Sequence, residues 1–164
     1  ARSVNHQMKQ EIFVIPESRI DKDVMIVLGT DGRKMSKSYG NIIDIFLPEK
    51  KLRKQVMGIV TDSTPMEEPK NPDTCNAFAL YRLLASDAQI TEMRSNYEGG
   101  NYGYGHAKQA LFELILEEFK DERKRFDELM ENPADIERLL LEGAKKAQPV
   151  ADAVLTRFKT AIGY

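Results

Sequence analysis

Apolar positions change their rhythm near residue 46. Upstream, Ile12-Phe13-Val14-Ile15 stops at Pro16, and Val24-Met25-Ile26-Val27-Leu28 stops at Gly29-Thr30-Asp31-Gly32. Short β-branched runs closed by Gly or Pro predict two buried strands. Unbroken apolar character suits a parallel sheet covered on both faces. Two strands cannot complete such a sheet, so the rest of it is expected upstream. Downstream the period becomes helical. Pro48 and Glu49 open a helix whose apolar positions are Leu52, Val56 and Ile59. Residues 61–74, with Pro65, Pro69 and Pro72, form a connecting loop. Helices are expected over 77–85 and 86–97, the second ended by Gly99-Gly100. A long one over 104–130 carries the stripe Leu111, Leu114, Ile115, Phe119, Phe126 and Leu129. Asn132-Pro133 ends it, a further helix follows, and Pro149 is expected to kink or restart that helix before residues 150–162. The pattern predicts part of an α/β sheet followed by a helical bundle.

Composition bounds this picture. A chain of 164 residues with 41% hydrophobic and 30% charged residues has enough apolar material for one compact domain or a small domain plus part of another. No apolar run approaches the ~20 residues of a membrane span. The opening Ala1-Arg2-Ser3-Val4-Asn5 has no initiator Met and no signal-peptide core, and reads as a cut inside a longer polypeptide. The one cysteine, Cys75, excludes an intrachain disulfide and a multi-cysteine metal site. No metal site is expected from His6, His106 and Cys75, and a cytoplasmic location is the default. A net charge of −2 excludes a uniformly basic RNA-binding surface but leaves room for a local patch. Two stretches are basic: Arg33, Lys34 and Lys37, then Lys50, Lys51, Arg53 and Lys54. The second reads more simply as a solvated helix face.

Chemistry concentrates in Lys34-Met35-Ser36-Lys37-Ser38, between the Thr30-Asp31-Gly32 turn and Tyr39-Gly40-Asn41. Two lysines three positions apart, separated by a hydroxyl residue, can converge on one polyanion. Ser36 and Ser38 add donors, and Gly32 and Gly40 let the backbone bend on either side. An ammonium on a flexible stem can follow a phosphate as it moves. A polar surface loop is the plain alternative for any Lys-Ser pentapeptide. This one matches in full the KMSKS signature and so resembles the class I aminoacyl-tRNA synthetases.

Further landmarks narrow the resemblance. Val60-Thr61-Asp62-Ser63, Asn71-Pro72-Asp73-Thr74-Cys75-Asn76, Gly103-Tyr104-Gly105-His106 with Lys108, and Glu142-Gly143-Ala144-Lys145-Lys146-Ala147 follow in an order similar to that of bacterial-type tryptophanyl-tRNA synthetases. The likeness covers essentially the whole chain and implies an α-rich fold. Residues 1–45 would be the C-terminal piece of a Rossmann-type α/β nucleotide-binding domain. Residues 46–148 would be a helical bundle that binds the tRNA anticodon, and 149–164 a C-terminal helix packing back on the catalytic domain. It implies activation of tryptophan by ATP with release of pyrophosphate, then transfer to tRNA(Trp). Mg²⁺ would be held mainly by the ATP phosphates, and the full-length enzyme would be a homodimer. Carried over by motif, Lys34 and Lys37 are catalytic, and Lys34, Met35, Ser36, Lys37, Ser38 and, through its backbone, Met25 bind ATP. The family's other ATP signature, a His-rich motif, is absent, as are the residues that would select tryptophan. The chain alone is therefore expected to be inactive.

Some features stay open. Gly105-His106 and His6 read as structural. Asp62-Ser63 is either a turn device or a coupling between loop and helices. Tyr97, Tyr102 and Tyr104 either pack at a helix junction or stack on an unpaired base. Two other readings remain: an autonomous helical RNA-binding or protein-interaction module, and another class I synthetase such as the tyrosyl enzyme.

Overall fold

A computed structural model of the chain describes residues 1–20 and 26–164. Two compact units are present, one of residues 20–126 and one of residues 1–19 with 127–164. The described residues are dominated by helices, in keeping with the α-rich expectation.

The short N-terminal helix α1 (Arg2–Met8), which the sequence pattern does not foretell, belongs to the smaller unit, and the larger unit contains helix α2 (Glu49–Met57). Leu52 and Val56 on α2 are buried, and Glu49 lies in its first turn, where a carboxylate suits the helix dipole. At its other end the Lys108 ammonium donates to the Met57 carbonyl at 3.3 Å. That contact satisfies a terminal acceptor and partly buries the amine, and burial lowers its pKa. Helix α3 (Asn76–Tyr81) is a turn shorter than expected. Helix α4 (Asp87–Gly99) opens with a capping box in which Ser86 and Gln89 satisfy each other's backbone N–H, and Gly100 at φ 73° ends it. Helix α5 (Tyr104–Glu118) packs on α2 and α3. Their shared core includes Leu52, Val56, Ile59, Phe78, Tyr97 and Leu111.

Several expectations need correction. The stretch 104–130 is two helices, because α5 bends at Phe119 (φ −105°, ψ 21°) before α6 (Lys120–Glu131). The hydrogen bonds Phe119 N to Ile115 O and Arg123 N to Phe119 O carry across the bend. On the far side Phe126 stacks on Phe46 at 4.6 Å and the Arg123 guanidinium donates to the Ile45 carbonyl. Pro149 does not restart the last helix: α7 runs from Pro133 to Ile162 with Pro149 inside. The carbonyl deprived of its donor is that of exposed Lys145, which water can serve. Neither expected strand forms among the described residues, whose one β contact is the bridge of Leu28 with Lys34. Residues 24 and 25 of the second run lie outside the described residues. A β ladder needs a partner strand, and at 12–13 the backbone finds side chains instead. Asn5 Oδ1 accepts from the Ile12 and Phe13 amides, and Arg157 Nε donates to the Ile12 carbonyl at 2.6 Å.

In the smaller unit Phe13 stacks on Phe158 with centroids 5.6 Å apart, and α7 keeps several large apolar side chains exposed, among them Leu140 and Val150. No helix among the described residues is long and apolar enough to cross a membrane.

Candidate functional site

The first two residues of the pentapeptide, Lys34 and Met35, lie on one limb of a tight hairpin. Leu28 and Lys34 make an isolated antiparallel bridge, Met35 N donates to Val27 O at 2.8 Å, and Gly29 N donates to Arg33 O at 2.7 Å. The turn between them uses Gly32 at φ 79°, a conformation that disfavours a side chain. Asp31 organises this turn. Its carboxylate accepts from Asn41 Nδ2 at 2.7 Å and from the Arg33 amide and Nε at 3.0 and 2.7 Å. These donors, Asn41 first, hold its pKa down from the ordinary 3.8 to about 2.

Beyond the hairpin the chain is extended at Ser36, makes one 3-10 turn over Lys37–Tyr39, and is closed by Gly40 at φ 66°. Asn41 lies inside this curve, 2% exposed. Its Nδ2 donates to the Lys34 carbonyl at 3.1 Å as well as to Asp31, and its Oδ1 accepts from the Ser36 amide at 2.8 Å. Its backbone carbonyl accepts from Thr30 N at 2.9 Å. The loop is therefore wound around one carboxamide.

The candidate residues fall into two groups. Lys34 and Lys37 are exposed, and neither ammonium pairs with any described residue. Both are free to meet an anion. Ser36 Oγ and Ser38 Oγ lie 2.8 Å apart, a pair of hydroxyls beside the lysines. Met35 points elsewhere: its side chain packs on the helical core and lines a groove with Ile43, Leu80, Leu84 and Phe119. Met25 lies outside the described residues. Arg33 lies over the Tyr39 ring at 4.8 Å, which braces the rim of the loop.

Sequence reasoning quoted Gly40-Asn41 as the continuation of the motif without giving Asn41 a task. For the Lys51 and Lys54 cluster the sequence favours a solvated helix face. Both lysines line a cavity of about 430 Å³ with Thr30, Gly40, Ile42 and Gln55, so the second basic stretch adjoins the loop. The tyrosines resolve towards packing. Tyr97 is fully buried, with its hydroxyl 3.3 Å from Cys75 Sγ. Burial pushes its pKa far up. The Tyr104 hydroxyl donates to Asp62 at 2.6 Å, and burial together with that carboxylate raises its pKa to about 12. Asp62 also accepts from the Thr64 amide at 2.9 Å, so it serves both the turn and a link to α5. No group of three or more His, Cys, Asp or Glu among the described residues could hold a metal ion.

Residues 1–120 match the family model tRNA-synt_1b, described as tRNA synthetases class I (W and Y). An exposed lysine pair on a glycine-flanked hairpin ahead of a helical bundle agrees with that match, and the chain belongs to this family of class I tRNA synthetases. Among curated relatives, the tryptophan–tRNA ligase of Campylobacter jejuni (strain RM1221) is 44% identical over 153 residues, covering 93% of this chain and 48% of the relative. That of Fusobacterium nucleatum is 45% identical over 163 residues, covering 99% of this chain and 50% of the relative. A crystal structure of the Campylobacter jejuni tryptophanyl-tRNA synthetase complexed with ADP and tryptophan superposes with a TM-score of 0.82 at 43% identity. It is matched over 100% of this chain and 51% of that one. The chain spans about half the length of the curated relatives it matches.

Proposed function

We propose that this chain supplies the ATP-phosphate loop and the helical tRNA-binding domain of a tryptophanyl-tRNA synthetase. The observation that carries this reading is the exposed lysine pair, without a partner among the described residues, on a loop whose backbone is fixed from within. In the reaction, a carboxylate oxygen of tryptophan attacks the α-phosphorus of ATP. The bond to the β-phosphate oxygen breaks, and tryptophanyl-adenylate forms as pyrophosphate leaves. A second step passes the tryptophanyl group to tRNA(Trp).

Negative charge grows on the departing pyrophosphate, and Lys34 and Lys37 are the groups here that meet it. Both are long and pair with no described residue, so they engage most strongly where charge is greatest, which is the condition for accelerating chemistry rather than tightening substrate binding. Ser36 and Ser38 donate hydroxyl hydrogen bonds to the same phosphates. Because the Met35 side chain is committed to the helical groove, Met35 would act through its backbone, as would Met25 towards adenine. Mg²⁺ would enter on the nucleotide, since the loop offers ammoniums and hydroxyls rather than a carboxylate cluster and its one carboxylate, Asp31, is already engaged by Arg33 and Asn41.

In this reading residues 1–45 belong to the nucleotide-binding domain, 46–148 to the helical tRNA domain, and 149–164 close back on the first. The stacking of Phe13 on Phe158 supports the last point. The full enzyme would be a cytoplasmic homodimer. The test is to join this chain to the half of the Campylobacter jejuni relative that it does not match and to follow tryptophan-dependent exchange of pyrophosphate into ATP. The hybrid should exchange, while this chain alone should not. A hybrid that folds and binds tryptophan but does not exchange, or that exchanges with tyrosine instead, would overturn the proposal.

A further inference from the structure

We propose that Asn41 is the positioning residue of the phosphate loop, its buried carboxamide setting where Lys34 and Lys37 leave the backbone. The inference rests on reading residues 34–38 as a phosphate loop and goes beyond it by naming what gives that loop its shape. Lysine stems are flexible, so a pair of them converges on one anion only as well as their Cα origins are fixed. Here those origins belong to a segment with one 3-10 turn and no strand pairing after residue 35. Its order comes from inside. The Asn41 carboxamide holds the carbonyl of Lys34 itself, the amide of Ser36 next before Lys37, and the Asp31 carboxylate of the preceding turn.

No other side chain has this combination at this size. Both Nδ2 protons are used, at 2.7 and 3.1 Å, and the Oδ1 acceptor takes the third contact. Aspartate would fill the space and accept from Ser36, yet it would set a second carboxylate against Asp31 and leave the Lys34 carbonyl unserved. Alanine would leave the Lys34 carbonyl and the Ser36 amide without this partner and Asp31 with Arg33 alone, a costly outcome for polar groups near a buried site. Glutamine has no room to extend, because Gly29 approaches so closely that a Cβ placed there would lie 2.4 Å from Asn41 Cγ.

The experiment is a ¹H–¹⁵N NMR titration of the whole chain with inorganic tripolyphosphate, paired with amide hydrogen exchange. Wild type, Asn41→Ala, Asn41→Asp and the double variant Lys34→Ala/Lys37→Ala are compared. Wild type should bind with a protected Ser36 amide. Both Asn41 variants should keep the dispersed signals of the helical core and bind about tenfold more weakly, the scale of one lost hydrogen bond, and Asn41→Ala should also lose Ser36 protection. The lysine variant should lose binding with Ser36 protection intact. Relative to wild type at the same pH, Asn41→Asp should regain affinity as pH falls from 7 to 5, because facing carboxylates share a proton that can then be donated. Absence of tripolyphosphate binding by wild type would remove the phosphate-loop reading itself. Binding by wild type and equal binding by both Asn41 variants, with Ser36 still protected in Asn41→Ala, would overturn the role of Asn41 alone. Collapse of the core signals in the size-matched Asn41→Asp would overturn it too, by making Asn41 a core residue rather than a positioning one.

Discussion

Gly29→Ala is the sharpest perturbation of the loop that leaves every charged residue in place. Gly29 is buried, and its φ lies outside the left-handed region, so alanine meets no backbone penalty there. The obstacle is space. An added Cβ would sit 2.4 Å from Asn41 Cγ and Nδ2 and 2.6 Å from the Asn41 carbonyl oxygen, about 1 Å inside ordinary contact. Asn41 cannot swing clear, since it is 2% exposed and tied to Asp31, Lys34 and Ser36. Overpacking of this kind costs roughly 1–3 kcal/mol, and each net hydrogen bond lost adds about 1 kcal/mol. A total near 3 kcal/mol leaves a domain of ordinary stability folded. With an m-value of ~1–3 kcal/mol/M it lowers the urea midpoint by about 1–3 M. Urea denaturation followed by circular dichroism reads the first number. Tripolyphosphate titration under folding conditions reads the second consequence, an affinity loss of the same order as in Asn41→Ala. A midpoint and an affinity both equal to wild type would show that Asn41 moves aside without harm, and the account of the loop as wound around a fixed carboxamide would fail.

Other outcomes follow from single contacts. In the hybrid enzyme, Lys37→Ala should slow pyrophosphate exchange by roughly 10²–10³ while the KM for tryptophan stays unchanged, and a rise in KM with undiminished kcat would contradict a transition-state role. Lys70 is 4% exposed, and its ammonium donates to the Pro65, Met66 and Glu68 carbonyls at 2.7, 3.2 and 2.9 Å. Those carbonyls belong to exposed residues and regain some water, so Lys70→Met should cost about 2 kcal/mol, read as a lower urea midpoint; an unmoved midpoint would refute it. Asp31 titrates lower when folded than when unfolded, so its contribution is complete above its ordinary 3.8 and is lost as pH falls from about 4 towards 2. Its carboxyl ¹³C signal should have a midpoint near 2 in wild type and move up in Asn41→Ala, and a wild-type midpoint at the unperturbed value would remove Asn41 as the dominant cause.

What could be read from the sequence was whatever is local. Leu52 and Val56 recur within α2 and are both buried, because helical period and core face are properties of one segment. Ser86 and Gln89 announce the start of α4 within four residues. The lysine pair was readable for the same reason. The strands were misread because a run such as Ile12–Ile15 states that a segment is apolar, whereas a ladder also needs a neighbour the segment does not specify. The bend at Phe119 turns on the meeting of Phe126 with Phe46, eighty positions apart. Lys70 looks like any surface lysine until Pro65 and Pro69 fold their loop around it. Asn41 was visible as a letter after the motif, but its task spans ten residues back to Asp31.

That pattern bears on how the loop is tied to the rest of its unit. Thr30, at the base of the hairpin, accepts from Val60 N at 2.7 Å, and the Val60 carbonyl accepts from Asn76 Nδ2 at 3.1 Å. Met35 sinks its side chain among Leu80, Leu84 and Phe119. The hairpin is thus fastened to α3 and α5 by backbone and apolar contacts, while the Lys34 and Lys37 ammoniums pair with none of the described residues. The arrangement separates two demands that conflict in a single residue: a fixed origin, supplied by Asn41 and Met35, and a mobile charge, supplied by the lysines. A loop whose lysines were themselves salt-bridged would have to break those pairs before meeting phosphate, and part of the electrostatic gain would be cancelled. The carboxylate of the same hairpin, Asp31, is occupied by Arg33 and Asn41, which keeps it from competing with phosphate for the two ammoniums.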